Sequence, residues 1–236
     1  ETNYLDALAA DLRTSVSPVH QSRPLQSIFF GGGTPSLFAP DSISTIIETA
    51  RDLFSFDKGI EITLEANPGT IDRGRLRAYG QAGVNRLSIG VQSFDDPTLS
   101  RLGRIHSGHA ARQAVVEARA AGFDNVNIDL MYGLPHQSWE SAKQDLDQAV
   151  VLGPEHISWY QLTIEPNTAF HRAPPKLPGE DAIITMADNG AQLLANSGYS
   201  RYEVSAYSRN TRESVHNLNY WLYGDYLGIG AGAHGK

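Results

Sequence analysis

The stretch SIFFGGGTPS, residues 27–36, joins a short apolar run to three consecutive glycines and a Thr-Pro-Ser turn. Its first four residues are predicted to form a strand. A tight turn after a strand needs one glycine, and each further glycine costs conformational entropy. Three in a row therefore indicate backbone N–H and C=O groups that face a ligand. The spacing is neither G-x-G-x-x-G nor that of the P-loop, so neither nucleotide-binding fingerprint applies.

The same order of strand and helix recurs along the chain. Helical patterns of about 11–16 residues, several of them ending at a glycine, alternate with apolar runs rich in β-branched and aromatic residues. A period of about 30 residues is that of a βα unit, so the sequence predicts an α/β fold. The predicted strands are 27–30, 60–65, 86–91, 125–132, 156–162 and 199–205, and the helices between them are 41–54, 72–82, 109–121, 138–152 and 181–196.

Polar residues follow nearly every predicted strand. In a barrel, the carboxyl ends of parallel strands converge on one face, whereas in an open sheet they spread along an edge. Five polar strand ends therefore favour a barrel or partial barrel with a ligand site at that face. These groups are the glycine-rich turn with Thr34, then Glu65 and Asn67, Gln92 and Ser93, Asp129 and Tyr132, and Gln161 and Thr163.

Composition limits the classes of partner and metal site. The 236 residues carry a net charge of −7, which argues against a nucleic acid partner, because that partner needs a basic face. No apolar run reaches the length of a membrane span, and no secretory signal is present. The absence of cysteine excludes disulfides and thiolate metal ligands within this chain. His106 and His109 have H-x-x-H spacing but no carboxylate in a suitable register, so no metal site is predicted.

Six motifs occur in a fixed order: IFFGGGTPS, ITLEANPG, RLSIGVQSF, RLGRIHS, NIDLMYGLPHQ and HNLNYWLYGDYLGIGAGAHGK. Together they resemble the radical S-adenosylmethionine (SAM) superfamily, in its oxygen-independent coproporphyrinogen III oxidase-like family and the haem chaperone subgroup. The resemblance implies a partial (βα)6-type barrel. It also implies that residues 1–236 are a fragment of the core, without the first strand, the Cys-x3-Cys-x2-Cys loop that holds a [4Fe–4S] cluster, or the C-terminal domain.

Motif matching implies seven SAM contacts. In the family, the glycine-rich strand end binds the amino group of SAM, and Gly32, Gly33 and Thr34 match it here. Glu65 matches a residue that contacts SAM near its methionine and ribose portions, and Gln92, Arg104 and Asp129 match further polar contacts. Three of these residues have structural alternatives. The glutamate could cap a turn, the arginine could form a surface ion pair, and Asp129 could hold a loop through an Asx turn.

The motif HNLNYW resembles one proposed for haem binding in the chaperone subgroup. It implies that His216 is an axial ligand and that Tyr220 and Trp221 line a flat apolar site. His234 is a second candidate ligand. The alternative is that the aromatic residues only pack this segment on the barrel.

The resemblance implies a cytoplasmic haem chaperone that binds haem and passes it to an acceptor protein, with SAM and a cluster in the complete protein. Two alternatives stay open. One is oxidative decarboxylation of coproporphyrinogen III by a 5′-deoxyadenosyl radical, which uses the same SAM motifs. The other is an unrelated barrel enzyme that binds phosphate at the glycine-rich loop.

Overall fold

The computed structural model describes residues 1–17 and 20–236 in full and the backbone alone at positions 18 and 19. Strands and helices alternate as the sequence predicts. In chain order they are α1 (Thr2–Ser15), α2 (Pro18–Gln21), β1 (Leu25–Phe30), α3 (Pro40–Leu53), β2 (Phe56–Ala66), α4 (Arg73–Ala82), β3 (Arg86–Gln92), α5 (Asp96–Arg101), α6 (Gly108–Ala121), β4 (Val126–Tyr132), α7 (Trp139–Leu152), β5 (His156–Gln161), α8 (Ala169–Arg172), α9 (Glu180–Asn196), β6 (Ser200–Arg201), β7 (Ala206–Ser208) and α10 (Val215–Trp221).

One sheet of seven strands organises the chain, in the order β1-β2-β3-β4-β5-β7-β6. Strands β1 to β5 are parallel to one another, whereas β7 is antiparallel to β5, and β6 to β7. The sheet curls into a half-barrel, so the predicted α/β partial barrel is confirmed. The five predicted helices lie within one residue of α3, α4, α6, α7 and α9 at each end.

The two faces of the sheet differ in chemistry. Side chains alternate between faces along a strand, and the convex face carries apolar residues such as Leu64, Ile89 and Ile128, which are fully buried in the main core. The concave face carries polar side chains instead. On β2, β3, β4 and β5 these are Glu61, Thr63, Glu65, Arg86, Ser88, Asn127, Asp129, His156 and Ser158.

The sixth predicted strand is wrong in its bounds. Residues 199–205 contain only the two-residue strand β6, and a bend at 203–205 precedes β7. The strand ends before Tyr202, whose hydroxyl hydrogen-bonds to the buried His156, 2.7 Å away. β-propensity alone therefore overestimated the length of this strand.

Among the residues that the structure describes, no helix combines the length and the hydropathy needed to cross a bilayer.

Candidate functional site

A cleft of about 260 Å³ opens at the carboxyl ends of the parallel strands. Six of the seven residues predicted to contact SAM line it, and the seventh, Gly32, donates its backbone N–H to the Glu65 carboxylate at 3.1 Å. The structure therefore brings all seven predicted residues together. The lining residues are Gly33, Thr34, Pro35, Glu65, Ala66, Asn67, Ser88, Gly90, Gln92, Arg104, Asp129 and Tyr160.

The three glycines after β1 are needed for two different reasons. A side chain at Gly31 would bring its Cβ within 2.7 Å of the Phe29 ring and 3.3 Å of the Glu65 carboxyl carbon. Gly32 and Gly33 have φ angles of 77° and 54°, in the left-handed region that favours glycine. The loop thus passes close to the Glu65 carboxylate, which accepts the Gly32 N–H. That carboxylate holds a loop 33 residues earlier in the chain, so it is not a local turn cap.

Side-chain hydrogen bonds join the glycine-rich loop to the loop after β2. Asn67 donates its side-chain amide to the Thr34 hydroxyl at 3.3 Å, and the hydroxyls of Ser36 and Thr70 are 2.7 Å apart. The Thr70 hydroxyl also bonds to the Asn67 carbonyl at 2.9 Å. These two cleft walls are therefore fixed relative to each other.

A clamp on α4 holds the exit of the glycine-rich loop. Arg75 donates to the carbonyls of Ser36, Leu37 and Phe38 at 3.1, 2.7 and 2.7 Å. The buried Tyr79 hydroxyl lies 2.9 Å from the Ser36 carbonyl and 2.7 Å from that of Phe38. Sequence analysis missed both residues, because nothing in their local pattern shows that they contact a loop about 40 residues earlier.

Gln92 lies at the end of β3 in a strained conformation. Its φ is 62°, unusual for a residue with a side chain, and the β3–β4 register shifts between Gly90 and Gln92. Its side chain is buried, and Oε1 has no hydrogen-bond partner among the described residues. A buried acceptor without a partner is costly. A cleft-lining residue with such an acceptor fits a ligand that donates a hydroxyl or amino hydrogen.

Two carboxylates give the cleft its charge. Burial, together with the nearby charge of Asp129, raises the pKa of Glu65, and the bond from the Gly32 N–H opposes this rise. Burial also raises the pKa of Asp129, against hydrogen bonds from Asn127, Ser158 and Ser88. Two carboxylates that repel each other in a buried site favour a cationic ligand between them.

The remaining alternatives for single residues are also resolved by contacts. Asp129 accepts hydrogen bonds from Ser88 at 3.0 Å and Asn127 at 2.8 Å, so its partners are neighbouring side chains rather than an Asx turn. Arg104 is exposed and forms no ion pair within the described part of the chain. It is available to the carboxylate of a ligand.

Tyr160 is a cleft residue that sequence analysis missed. Burial raises the pKa of its hydroxyl to about 12, and the Gln92 side chain hydrogen-bonds to it. It lies on β5, whereas the sequence analysis considered only Gln161 and Thr163, at the end of this strand. The alternation of the strand places Tyr160 on the same face as Ser158, and this pattern was the available signal.

The predicted haem residues lie on or near α10. The His216 ring stacks on Phe29 with centroids 4.3 Å apart and an angle of 20° between the planes, and Tyr220 meets it edge-on at 5.0 Å. Burial lowers the pKa of His216, and the Glu61 charge opposes that change. Tyr220 and Trp221 are about half exposed, so this aromatic surface is only partly packed on the barrel.

Three further histidines differ in their burial. His106 is buried, and its Nε2 lies 3.1 Å from the Val91 carbonyl oxygen, whereas His109 is exposed. His234 is exposed near the end of the chain. In the part of the chain that the structure describes, no group of three acidic, histidine or cysteine side chains could hold a metal ion.

Comparison with known proteins gives consistent results. Residues 16–149 match the family model of the radical SAM superfamily. The chain is 52% identical to heme chaperone HemW of Haemophilus influenzae over 234 residues, which are 99% of this chain and 61% of that protein. It is 43% identical to mouse mitochondrial radical S-adenosyl methionine domain-containing protein 1, over 90% of this chain and 49% of the relative.

A solved structure shares the fold over almost the whole chain. Coproporphyrinogen III oxidase (HemN) from Escherichia coli, described as a radical SAM enzyme, superposes with a TM-score of 0.84 at 26% identity and covers 99% of this chain and 57% of that one. The chain thus spans about three fifths of the length of the HemW proteins it matches.

Proposed function

The chain belongs to the radical SAM superfamily, in the branch that contains the haem chaperones, and on this premise we propose that it is the SAM-binding core of a haem chaperone. The observation that carries the proposal is the difference in similarity. Identity to the heme chaperones HemW of Haemophilus influenzae and Escherichia coli is 52% and 50%, whereas identity to the coproporphyrinogen III oxidase of Escherichia coli is 26%.

The cleft would hold SAM through residues suited to each of its charges. The backbone carbonyl oxygens of the glycine-rich loop, at Gly32, Gly33 and Thr34, and the Glu65 carboxylate would accept hydrogen bonds from the amino end, and the Arg104 guanidinium would bind the carboxylate. Gln92 and Asp129 would accept hydrogen bonds from hydroxyl or amino groups. The unpaired Gln92 Oε1 and the left-handed glycines support this fit.

Bound SAM, beside a [4Fe–4S] cluster, supplies a 5′-deoxyadenosyl radical in radical SAM enzymes. The cluster ligands would come from outside the 236 residues, because thiolates normally hold such a cluster and this chain has no cysteine. The chain's own part is to bind and orient SAM at the strand ends.

Haem would be bound at α10, with His216 as axial ligand and Tyr220 against the macrocycle. The stacked imidazole and the half-exposed aromatic surface support this assignment. The partner would be a haem-acceptor protein, and the location cytoplasmic.

The fold and the SAM residues are equally compatible with oxidative decarboxylation of coproporphyrinogen III, so that activity is the second candidate. The family match excludes an unrelated phosphate-binding barrel.

The SAM site is tested in the full-length gene product by isothermal titration calorimetry. Glu65→Ala and Asp129→Ala should each weaken SAM binding by about 1–3 kcal/mol, since each removes a charged hydrogen-bond partner. Glu48→Ala, on the exposed face of α3, is the control and should bind SAM as the wild type does. Wild-type affinity in both cleft variants would remove these residues from the site.

A further inference from the structure

A carboxylate inside the barrel caps the helix that carries His216. Glu61, on β2, is 6% exposed and accepts hydrogen bonds from the Ser214 hydroxyl and from the backbone N–H groups of Val215 and His216, at 3.2, 3.1 and 3.1 Å. The Arg86 guanidinium, also buried, lies 3.8 Å from it. The first turn of α10 is thus held by a side chain more than 150 residues earlier in the chain.

Tyr202 forms a second anchor at the same helix end. Its hydroxyl oxygen accepts hydrogen bonds from the Ser214 N–H and the Asn217 side-chain amide, both at 3.2 Å. His156 Nε2 lies 2.7 Å from the same hydroxyl, and its Nδ1 lies 2.6 Å from the side-chain oxygen of Asn127. Since that oxygen accepts, Nδ1 carries the proton, and Nε2 accepts the hydroxyl hydrogen of Tyr202.

Helix α10 buries none of its own side chains fully. None of its seven residues is buried, whereas the N-cap before them, Ser214, is fully buried. Helices this short are not stable on their own. A buried carboxylate is costly to desolvate, and such groups are retained in some proteins because they specify one arrangement. The two anchors therefore define where α10 begins.

We propose that Glu61 and Tyr202 are positioning residues that hold the His216 imidazole on Phe29, at the inner edge of the exposed aromatic surface. They act through the backbone of α10 and do not themselves contact the ligand. The inference deepens the proposed haem site and rests on it for the ligand. The start of the helix is held so that the His216 nitrogen can bind the haem iron. The end of the helix leaves Tyr220 and Trp221 exposed to a flat apolar molecule.

Strand β2 offers a matched control. Glu65 lies four residues after Glu61 on the same face and is a partly buried carboxylate. It contacts the glycine-rich loop instead of α10. Glu61→Gln and Glu65→Gln keep the side-chain shape and replace one acceptor oxygen by an NH2 donor. At position 61 this is disruptive because both carboxylate oxygens accept hydrogen bonds from the start of α10. Tyr202→Phe removes the second anchor without changing charge, and serves if Glu61→Gln proves unstable.

The first measurement uses haem-free, histidine-labelled full-length gene product and NMR. The ring protons of His216, identified by their loss in His216→Ala, should be shifted by the Phe29 and Tyr220 ring currents. Glu61→Gln and Tyr202→Phe should lose this shift, and Glu65→Gln should keep it. An unchanged His216 shift in both anchor variants overturns the proposal, whether or not the protein binds haem.

The second measurement is the absorption spectrum of the haem complex, with SAM affinity measured in parallel. Glu61→Gln should take on the Soret position of His216→Ala and keep wild-type SAM affinity, whereas Glu65→Gln should lose SAM affinity and keep the wild-type Soret band. A wild-type Soret band in Glu61→Gln, when His216→Ala changes it, overturns the positioning role. A wild-type band in His216→Ala overturns the haem ligand assignment. In that case the NMR measurement alone tests whether Glu61 and Tyr202 position His216.

Discussion

Asp145 provides a pH-dependent test of how the turn after β3 is built. This carboxylate on α7 is 3% exposed and accepts hydrogen bonds from the Ser93 hydroxyl at 2.8 Å and the Phe94 N–H at 2.7 Å, directly after Gln92. Burial raises the pKa of Asp145 from 3.8 to about 6, against these two hydrogen bonds. The folded protein therefore disfavours the ionised form.

The raised pKa of Asp145 determines how the free energy of unfolding changes with pH. Because the folded pKa is raised, the contribution of Asp145 to the free energy of unfolding is largest below pH 3.8 and falls as the pH rises to about 6. A rise of about two pKa units corresponds to about 3 kcal/mol. Asp145→Asn removes the titration and retains an acceptor for the Phe94 N–H. We expect the variant to be more stable than the wild type by about 1–3 kcal/mol at pH 7, and about equally stable at pH 4.

The assay is urea unfolding of the full-length gene product at a series of pH values. Asp147→Asn is the control, because Asp147 lies on the same helix, is half exposed and pairs with Lys143 at 2.6 Å. An exposed pair of this kind contributes about 0.5 kcal/mol or less, so this variant should follow the wild-type pH dependence. If Asp145→Asn is less stable than the wild type at pH 7, the buried carboxylate stabilises the turn and the reasoning is refuted.

Three further predictions concern the cleft and the cluster. Tyr79→Phe should lower the free energy of unfolding by about 1–3 kcal/mol and weaken SAM binding, because the hydroxyl that donates to one of the carbonyls of Ser36 and Phe38, and accepts from Arg75, is lost. Urea unfolding and calorimetry measure the two effects, and a neutral result would contradict the clamp. Gly90→Ala should displace the Gln92 side chain, because its Cβ would lie 2.8 Å from Gln92 Nε2, and should weaken SAM binding by about 1 kcal/mol, the contribution of one hydrogen bond. Unchanged calorimetric affinity would contradict the role of Gln92. The 236-residue chain reconstituted with iron and sulfide should show no [4Fe–4S] absorption, because it has no cysteine; a cluster spectrum from this chain alone would contradict that prediction.

The sequence predicted the parts of the fold that depend on local pattern. Helix ends such as Gly83, Gly122 and Gly153 adopt the expected left-handed conformation. The glycine-rich turn and the polar strand ends predicted which edge of the sheet carries the cleft. These features depend on residues close together in the chain, so periodicity and turn chemistry suffice.

The sequence could not predict contacts between distant segments. Glu61 and Glu65 are the same residue type on one face of one strand, yet one caps α10 and the other binds the Gly32 N–H. The sequence pattern predicted that Tyr202 lies in a strand, whereas it lies after β6 and hydrogen-bonds to His156 and Ser214. Such choices depend on which side chains the tertiary structure places opposite each other, so β-propensity does not determine them.

The polarity of the concave face was also not predicted from the sequence. Apolar runs such as residues 86–91 suggest strands covered on both faces. In the fold, Arg86 and Ser88 point to the inner face, while Leu87 and Ile89 are buried under the helices. The inner face is lined by buried polar groups that bond to each other, from Asp129 through Asn127 to His156.

The most direct test of the haem chaperone assignment is a haem titration of the full-length gene product, with transfer of the bound haem to an apo-acceptor protein, beside an anaerobic assay with coproporphyrinogen III, SAM and a reductant. The account predicts saturable haem binding, transfer to the acceptor and no decarboxylation. Decarboxylation of coproporphyrinogen III together with no saturable haem binding would contradict it and establish the oxidase activity instead.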